Sequence, residues 1–277
     1  MNNLFFGLFS VFAFYALMMV ACFAVVKFLP ASFLGVPARA VLSWLPPFVG
    51  GDALRAWAAK NSEELTATRL AGKRDAETAD RLAAAIEEGA MQAMLPMAGL
   101  SDLERIVACP ESGQGIVGVT APEALTMAAY LRKNCSPAER QRIFEMAADN
   151  AKKIASRPPG ETAAPALPCP LQGGGHVCCV YESRPLRCRI LHAMDIAKHL
   201  GSHGESTAGL PVKMPGAAGH EQTVAEGIEL GVTRALKSAG VDANVYELNS
   251  ALATALEEPN AAERWARGEA VFHTPLV

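Results

Sequence analysis

The hydrophobic pattern of the chain begins with one long apolar run. Residues 4–26 carry no charge and are interrupted only by Gly7, Ser10 and Tyr15. A helix of this length, at about 1.5 Å per residue, is about 34 Å long and spans the ~30 Å hydrocarbon core of a bilayer. The run exceeds the apolar part of a signal peptide, and no Lys or Arg precedes it. We therefore predict a single transmembrane anchor within residues 1–30, with a cleaved signal peptide as the alternative.

A second apolar stretch, residues 40–50, follows the anchor but is too short to cross a membrane. It contains Trp44 and the pair Pro46-Pro47. Aromatic residues favour the membrane–water interface, and proline breaks a helix. The pattern predicts an interfacial segment over residues 31–51, or a docking surface for a membrane-protein partner through residues 40–50.

Beyond residue 51 the pattern is helical. Three pairs have the spacing of a capping box, in which a hydroxyl and a carboxylate three residues later satisfy the first N–H groups of a helix; they are Ser101/Glu104, Thr120/Glu123 and Ser136/Glu139. We predict helices near residues 52–69, 75–97, 121–134, 137–156, 222–239, 243–257 and 261–268. The sequence thus predicts a mainly α protein, in which a helical domain follows the anchor.

The sequence also indicates where single helices end and where a strand and loops occur. Val245, Leu248, Leu252 and Leu256 form one stripe at helical spacing, and Gly240 is placed to end the preceding helix. Residues 114–119 are compatible with a short strand. Residues 157–175 and 201–220 are rich in Pro and Gly and are predicted to be loops.

Charge is distributed unevenly along the chain. Residues 1–51 contain only Lys27 and Arg39, whereas residues 52–277 contain 23 basic and 28 acidic residues. A net charge of −5 over the second part argues against nucleic-acid binding, which requires a basic surface. Because positive charge follows the apolar run and does not precede it, we predict a single-pass protein of the inner (cytoplasmic) membrane with its C-terminal domain in the cytoplasm.

Four of the seven cysteines lie within residues 169–188. A cytoplasmic protein keeps its thiols reduced, so such a cluster indicates a metal site before it indicates disulfides. Adjacent side chains such as those of Cys178 and Cys179 rarely reach one ion. We therefore take Cys169, Cys178 and Cys188 as three ligands, with the fourth from elsewhere; the alternative is a set of buried small apolar thiols.

The same segment contains ten residues that follow a known motif, namely Cys169, Pro170, Leu171, Cys178, Tyr181, Glu182, Arg184, Pro185, Cys188 and Arg189. The motif is Cys-Pro-Leu, a loop, and Cys-x-Val-Tyr-Glu-x-Arg-Pro-x-x-Cys-Arg. The segment therefore resembles the YkgJ-like cysteine-cluster family, a zinc- or iron-chelating domain with this motif. Residues 117–131 resemble the family segment that follows its first cysteine cluster, so the likeness covers roughly residues 105–195.

The sequence departs from the family at that first cluster, where it has only Cys109. Cys109 with Cys169, Cys178 and Cys188 would make a four-thiolate site for zinc or an iron–sulfur cluster, a choice that stays open. Should Cys109 not converge, an imidazole from His176 or His192 would complete a zinc site. Around the ligands we expect Tyr181, Glu182, Arg184 and Arg189 to support the site by offsetting thiolate charge or by pairing with one another. Cys135 is expected to be structural.

These features divide the chain into an anchor (1–30), an interfacial apolar segment (31–51), a helical linker region (52–104), a cysteine-cluster domain (105–200), a Gly/Pro-rich loop (201–220) and a C-terminal helical region (221–277). No motif identifies an enzyme. We expect a membrane-anchored metal-binding protein in electron transfer, metal handling or assembly of a membrane complex. The alternative is a non-catalytic structural accessory subunit that keeps the family fold without metal.

Overall fold

The structure is a computed structural model that describes residues 51–72, 74–94, 116–158, 167–174, 177–189, 217–273 and 275–276. The predicted anchor (4–26), the partner segment (40–50) and the Ser101/Glu104 pair lie outside these residues. Within the described part of the chain, none of the helices combines the length and the apolar character needed to cross a membrane.

The fold is mainly α-helical, as predicted. The helices are α1 (Gly51–Leu70), α2 (Thr78–Met94), α3 (Ala121–Asn134), α4 (Pro137–Ala155), α5 (Ala217–Ser238), α6 (Leu248–Glu257) and α7 (Ala261–Ala266), with a short 3-10 helix at Tyr181–Ser183. The two described capping boxes start α3 and α4 where the sequence places them. Gly240 has φ 68° and follows the end of α5, as expected of a glycine that terminates a helix.

Two short strands complete the secondary structure. Strand β1 (Gly118–Thr120) pairs antiparallel with β2 (Val245–Glu247), with Gly118 opposite Glu247 and Thr120 opposite Val245. The strand predicted over 114–119 is therefore present at its C-terminal end, one residue further along the chain. The C-terminal segment adds to the far edge of β2, where Leu276 N–H donates to the Val245 carbonyl at 2.8 Å.

Two predicted boundaries were wrong. The helix expected over 243–257 begins only at Leu248, because Val245–Glu247 pairs with β1. The Glu247 carboxylate then caps α6 by accepting the N–H groups of Asn249 and Ser250 at 2.9 Å each. The loop expected through residue 220 ends earlier, since α5 begins at Ala217.

Helices α1 and α5 pack closely along their lengths. Their contact is made by small residues, Ala58 and Ala59 on α1 and Gly227 and Gly231 on α5. A Cβ added at Gly227 would come within 2.5 Å of the Arg55 carbonyl oxygen, and one at Gly231 would lie 2.8 Å from the Glu63 nitrogen. The absence of side chains at these two glycines therefore sets the distance between the helices.

One hydrophobic core joins the described helices. Its fully buried large side chains include Leu82, Met127, Leu131, Ile143, Ile228, Leu236, Leu252 and Trp265. Leu171, on the first arm of the cysteine hairpin described below, and Val180, directly after the second arm, belong to the same core. The cysteine segment is therefore seated on the helical domain by apolar burial.

Candidate functional site

The first part of the cysteine segment is a hairpin whose described arms are residues 169–174 and 177–179. Gln172 N–H donates to the Cys169 carbonyl at 3.1 Å, and Gly173 N–H donates to the Val177 carbonyl at 2.8 Å. Gln172 pairs with Cys178 in an isolated antiparallel bridge, and Cys179 N–H donates to the Leu171 carbonyl at 2.8 Å. Of the predicted loop 157–175, the described residues 169–174 form one arm of the hairpin, which carries Cys169, and Cys179 lies on the other arm.

A buried polar network holds the start of this hairpin. Asn150 of α4 is 2% exposed, and its amide donates to the Pro168 carbonyl at 2.8 Å and to Asn249 Oδ1 at 3.1 Å. The Asn249 amide in turn donates to the Glu247 carboxylate at 2.6 Å. Buried polar groups of this kind are stable only when each is hydrogen-bonded. The network fixes the residue before Cys169 against α4 and α6.

The second part of the segment, residues 181–189, is organised by Arg189. Its guanidinium donates to the backbone carbonyls of Tyr181, Glu182 and Arg184 at 3.1–3.3 Å and to the Glu87 carboxylate at 3.0 Å. A planar fork with five N–H groups suits this arrangement. Arg189 therefore positions the turn that carries Cys188.

The other residues expected to support the metal site lie around that turn. Arg184 is 6% exposed, and its guanidinium carbon lies 5.7 Å from the centre of the Tyr181 ring. Glu182, Arg184 and Arg189 line a cavity of about 130 Å³, together with Glu87. Glu182 was expected to pair with an arginine; in the structure the carboxylate that pairs with Arg189 is that of Glu87.

Glu123 joins the cysteine segment to the helical domain. Its carboxylate accepts the N–H and the hydroxyl of Thr120 at 2.8 and 2.7 Å, and it also accepts the N–H of Leu186 at 2.8 Å. Burial raises the pKa of Glu123 against the opposing effect of these hydrogen bonds. The capping box read from the sequence thus has a further function, because the same carboxylate holds the Arg-Pro-x-x-Cys turn.

Cys179 lies beside a cavity of about 370 Å³ whose lining includes Cys135, Arg142, Gly173 and Gly174. Burial, then the thiolate charges of Cys178, Cys135 and Cys169, raise the pKa of Cys179 to about 12, and Arg142 acts in the opposite direction. Cys169, Cys178 and Cys179 share the hairpin, and Cys135 lines the cavity beside Cys179, so these four thiols lie in one neighbourhood.

Of the four predicted ligands, Cys169, Cys178 and Cys188 belong to the described residues and Cys109 does not. Cys169 and Cys178 lie on the hairpin, within this neighbourhood, and Cys188 lies on the turn held by Arg189. Cys109, His176 and His192 lie outside the described residues. Among the residues that the structure describes, no three His, Cys, Asp or Glu side chains are arranged about a common point suited to a metal ion.

The thiol neighbourhood has the donor chemistry that zinc and iron–sulfur clusters require, since thiolate sulfur is the preferred ligand of both. Sequence reasoning missed two of its members. Cys135 ends α3, far from the motif along the chain, and Cys179 was set aside because it adjoins Cys178. The only available signal was the presence of Cys135 at a predicted helix–helix junction.

Comparison of the chain with family models, with curated proteins and with solved structures gives no match. The likeness to the cysteine-cluster family, which depends on the order of ten residues, stays a prediction.

Proposed function

We propose that this protein is a membrane-anchored metal-binding protein whose cysteine cluster holds zinc or an iron–sulfur cluster. The observation that carries the proposal is the hairpin that brings Cys169, Cys178 and Cys179 together, with Cys135 lining the cavity beside Cys179. The ligands we propose are those of the motif, Cys169, Cys178 and Cys188, with Cys109 as the fourth. The cellular role would be electron transfer, metal handling or assembly of a membrane complex.

Electrostatics support this proposal. Burial raises the pKa of Cys179 most, and repulsion by the thiolates of Cys178, Cys135 and Cys169 raises it further. A bound cation removes that repulsion, because each thiolate then faces a positive charge. The half-buried position of these cysteines also limits the water that competes for a metal ion.

The membrane attachment is proposed from the sequence. Residues 4–26 would span the inner membrane and leave the cysteine cluster in the cytoplasm, and residues 40–50 would meet a membrane-protein partner. A reducing compartment would keep the thiols available for metal.

A second candidate is a non-catalytic structural accessory subunit that binds no metal. The observation that favours it is the packing of Cys135, Cys169, Cys178, Cys179 and Cys188 against the hydrophobic core. Cysteine behaves as a small apolar residue in such positions, so these contacts would stabilise the fold without any ligand.

One experiment separates the two candidates. The full chain is purified in detergent without oxygen, and its iron, sulfide and zinc are measured together with the visible spectrum. We expect either iron and sulfide with broad visible absorption or stoichiometric zinc without colour, and loss of either in Cys169→Ser and Cys178→Ser. Cys22→Ser is the matched control, because Cys22 lies in the apolar run, and it should retain the metal.

A protein that is folded by circular dichroism yet carries no metal, and takes up none from iron and sulfide or from zinc salts, would overturn the metal-binding function. It would leave the accessory subunit as the better description.

A further inference from the structure

We propose that Glu87 and Glu229 are positioning residues for Cys188, one of the ligands of the proposed metal site. Neither glutamate belongs to the motif, and each binds an arginine that adjoins Cys188 in the chain. Together with Glu123 they hold residues 186–189 from three different helices, α2, α3 and α5. The ligand role of Cys188 rests on the proposed function, and the three carboxylates deepen that function by placing the ligand.

Arg187, the residue before Cys188, is bound by Glu229 of α5. Its Nε donates to Glu229 Oε1 and its Nη2 donates to Glu229 Oε2, both at 2.5 Å. A carboxylate that accepts two N–H groups of one guanidinium fixes the direction of that side chain as well as its distance. The Glu229 side chain is only 17% exposed, so water competes less for it than for a carboxylate on the open surface. Helix α5 therefore holds one side of the turn.

Arg189, the residue after Cys188, is bound by Glu87 of α2. Arg189 Nη2 lies 3.0 Å from Glu87 Oε1, and it also donates to the carbonyls of Tyr181 and Glu182. The Arg189 side chain is 18% exposed. A largely buried charge needs a partner of opposite sign, because its desolvation is otherwise uncompensated. Glu87 supplies that partner and joins the other side of the turn to α2.

The third carboxylate acts on the backbone. Glu123 of α3 accepts the N–H of Leu186 at 2.8 Å, and the N–H of Arg189 donates to the Pro185 carbonyl at 3.0 Å. Residues 186, 187 and 189 are thus each held by a carboxylate from a different helix, and Cys188 lies among them. All of these partners are protein groups, so they place the Cys188 backbone whether or not its thiol coordinates a metal.

A ligand that is fixed in advance loses little conformational freedom on binding, which favours affinity. Cys188 also packs against the hydrophobic core, which confines its side chain. The hairpin is held separately, by the bond from Asn150 to the Pro168 carbonyl. The proposed site therefore has two separately supported parts, and loss of an ion pair at the turn should weaken metal binding through Cys188 alone.

Amide hydrogen exchange of the full, metal-free chain in detergent, followed by mass spectrometry, is the first test. In the wild type, residues 186–189 should exchange at least about tenfold more slowly than an unstructured segment. Glu87→Gln and Glu229→Gln should each raise that rate about threefold or more, the scale of a partly exposed ion pair. Glu63→Gln is the matched control, because it removes an ion pair with Arg234, 3.9 Å away, that joins α1 to α5.

The second test is titration with cobalt(II), followed by the thiolate-to-cobalt absorption. We expect Glu87→Gln and Glu229→Gln each to weaken affinity about threefold or more while the absorption at saturation stays the same, since Cys188 remains a ligand. Cys188→Ser should bind more weakly through the remaining thiolates. Adding either glutamine substitution to Cys188→Ser should cause no further loss, because the glutamates act through that thiol.

The outcomes separate the two proposals. Wild-type protein that binds neither cobalt(II) nor any native metal would overturn the proposed function, and the positioning role with it. Three results would overturn the positioning role alone in a protein that binds metal. They are unprotected exchange at residues 186–189 of the wild type, glutamine variants at Glu87 and Glu229 that behave as Glu63→Gln does, and an equal loss of affinity with and without Cys188.

Discussion

The buried carboxylate of Glu123 accepts the backbone N–H of Leu186, 63 residues further along the chain, at 2.8 Å. The same carboxylate also accepts the N–H and hydroxyl of Thr120. One side chain thus starts α3 and anchors the turn that carries Cys188. The start of α3 and the turn at residues 181–189, 63 residues apart in the chain, are thus joined at this residue.

Replacing Glu123 by alanine should destabilise the protein by about 1–3 kcal/mol, because buried donors on Thr120 and Leu186 lose their acceptor. The measurement is urea unfolding of the full chain followed by circular dichroism. The matched control is Glu139→Ala, which removes the equivalent capping carboxylate from an exposed site at Ser136 and should cost clearly less. Equal losses at the two positions would contradict the importance of burial at Glu123.

The two capping carboxylates should respond to pH in opposite directions. Burial raises the pKa of Glu123 above 4.5, whereas hydrogen bonds from Ser136 lower the pKa of Glu139 below 4.5. When the folded-state pKa is raised, the folded state holds more protons than the unfolded state, so stability falls as pH rises from 4.5 through the folded value. When it is lowered, stability is lost as pH falls below 4.5 through the folded value.

The measurement is the free energy of unfolding of the wild type, of Glu123→Gln and of Glu139→Gln at a series of pH values. The advantage of the wild type over Glu123→Gln should shrink as pH rises above 4.5. Its advantage over Glu139→Gln should shrink as pH falls below 4.5. Parallel curves for the two variants would show that burial does not control the Glu123 carboxyl.

Substituting Gly231 by alanine should destabilise the α1–α5 contact by about 1–3 kcal/mol, as overpacking does in a close-packed core. The added methyl group would meet the backbone of Ala59 and Glu63, which cannot move aside as a flexible side chain can. Gly72→Ala is the control, since a Cβ there meets nothing within 4 Å. Thermal unfolding of both variants checks the prediction, and a Gly231→Ala protein as stable as Gly72→Ala would refute it.

Removing the Asn150 amide should loosen the hairpin. In Asn150→Ala the Pro168 carbonyl and the buried Asn249 lose their donor, at a cost of about 1–3 kcal/mol. We also expect faster alkylation of Cys169 in the native protein, because its neighbour is no longer held to α4. Asn134→Ala, which removes only an exposed bond to the Tyr130 carbonyl, is the control for both readouts. An unchanged Cys169 rate in a destabilised Asn150→Ala protein would show that the network does not order the hairpin.

Local signals in the sequence determined the helical framework. Helix α3 spans the predicted residues 121–134, and α4 ends one residue before its predicted end. In both cases the start is set by a hydroxyl, a proline and a carboxylate within four residues. Because those groups act on the backbone beside them, no distant part of the chain is needed to place them.

Contacts between residues far apart in the sequence decided the strand pairing and the packing of the helices. The stripe that begins at Val245 has helical spacing, yet Val245–Glu247 pairs with β1, a segment more than a hundred residues earlier. The spacing of Gly227 and Gly231 shows only that two small residues share a helix face. The structure shows that α1 packs against this face. The Asn150–Asn249 bond joins residues 99 apart.

For the cysteines too, part of the arrangement is evident from the sequence and part only from the folded structure. The motif order of Cys169, Cys178 and Cys188 can be read directly, because the residues are close along the chain and their spacing carries chemical meaning. The approach of Cys135 to Cys179 cannot be read in that way. It requires a helix end and a hairpin, separated by more than forty residues, to be packed on one core, and only burial of Leu131, Leu171 and Val180 brings them there.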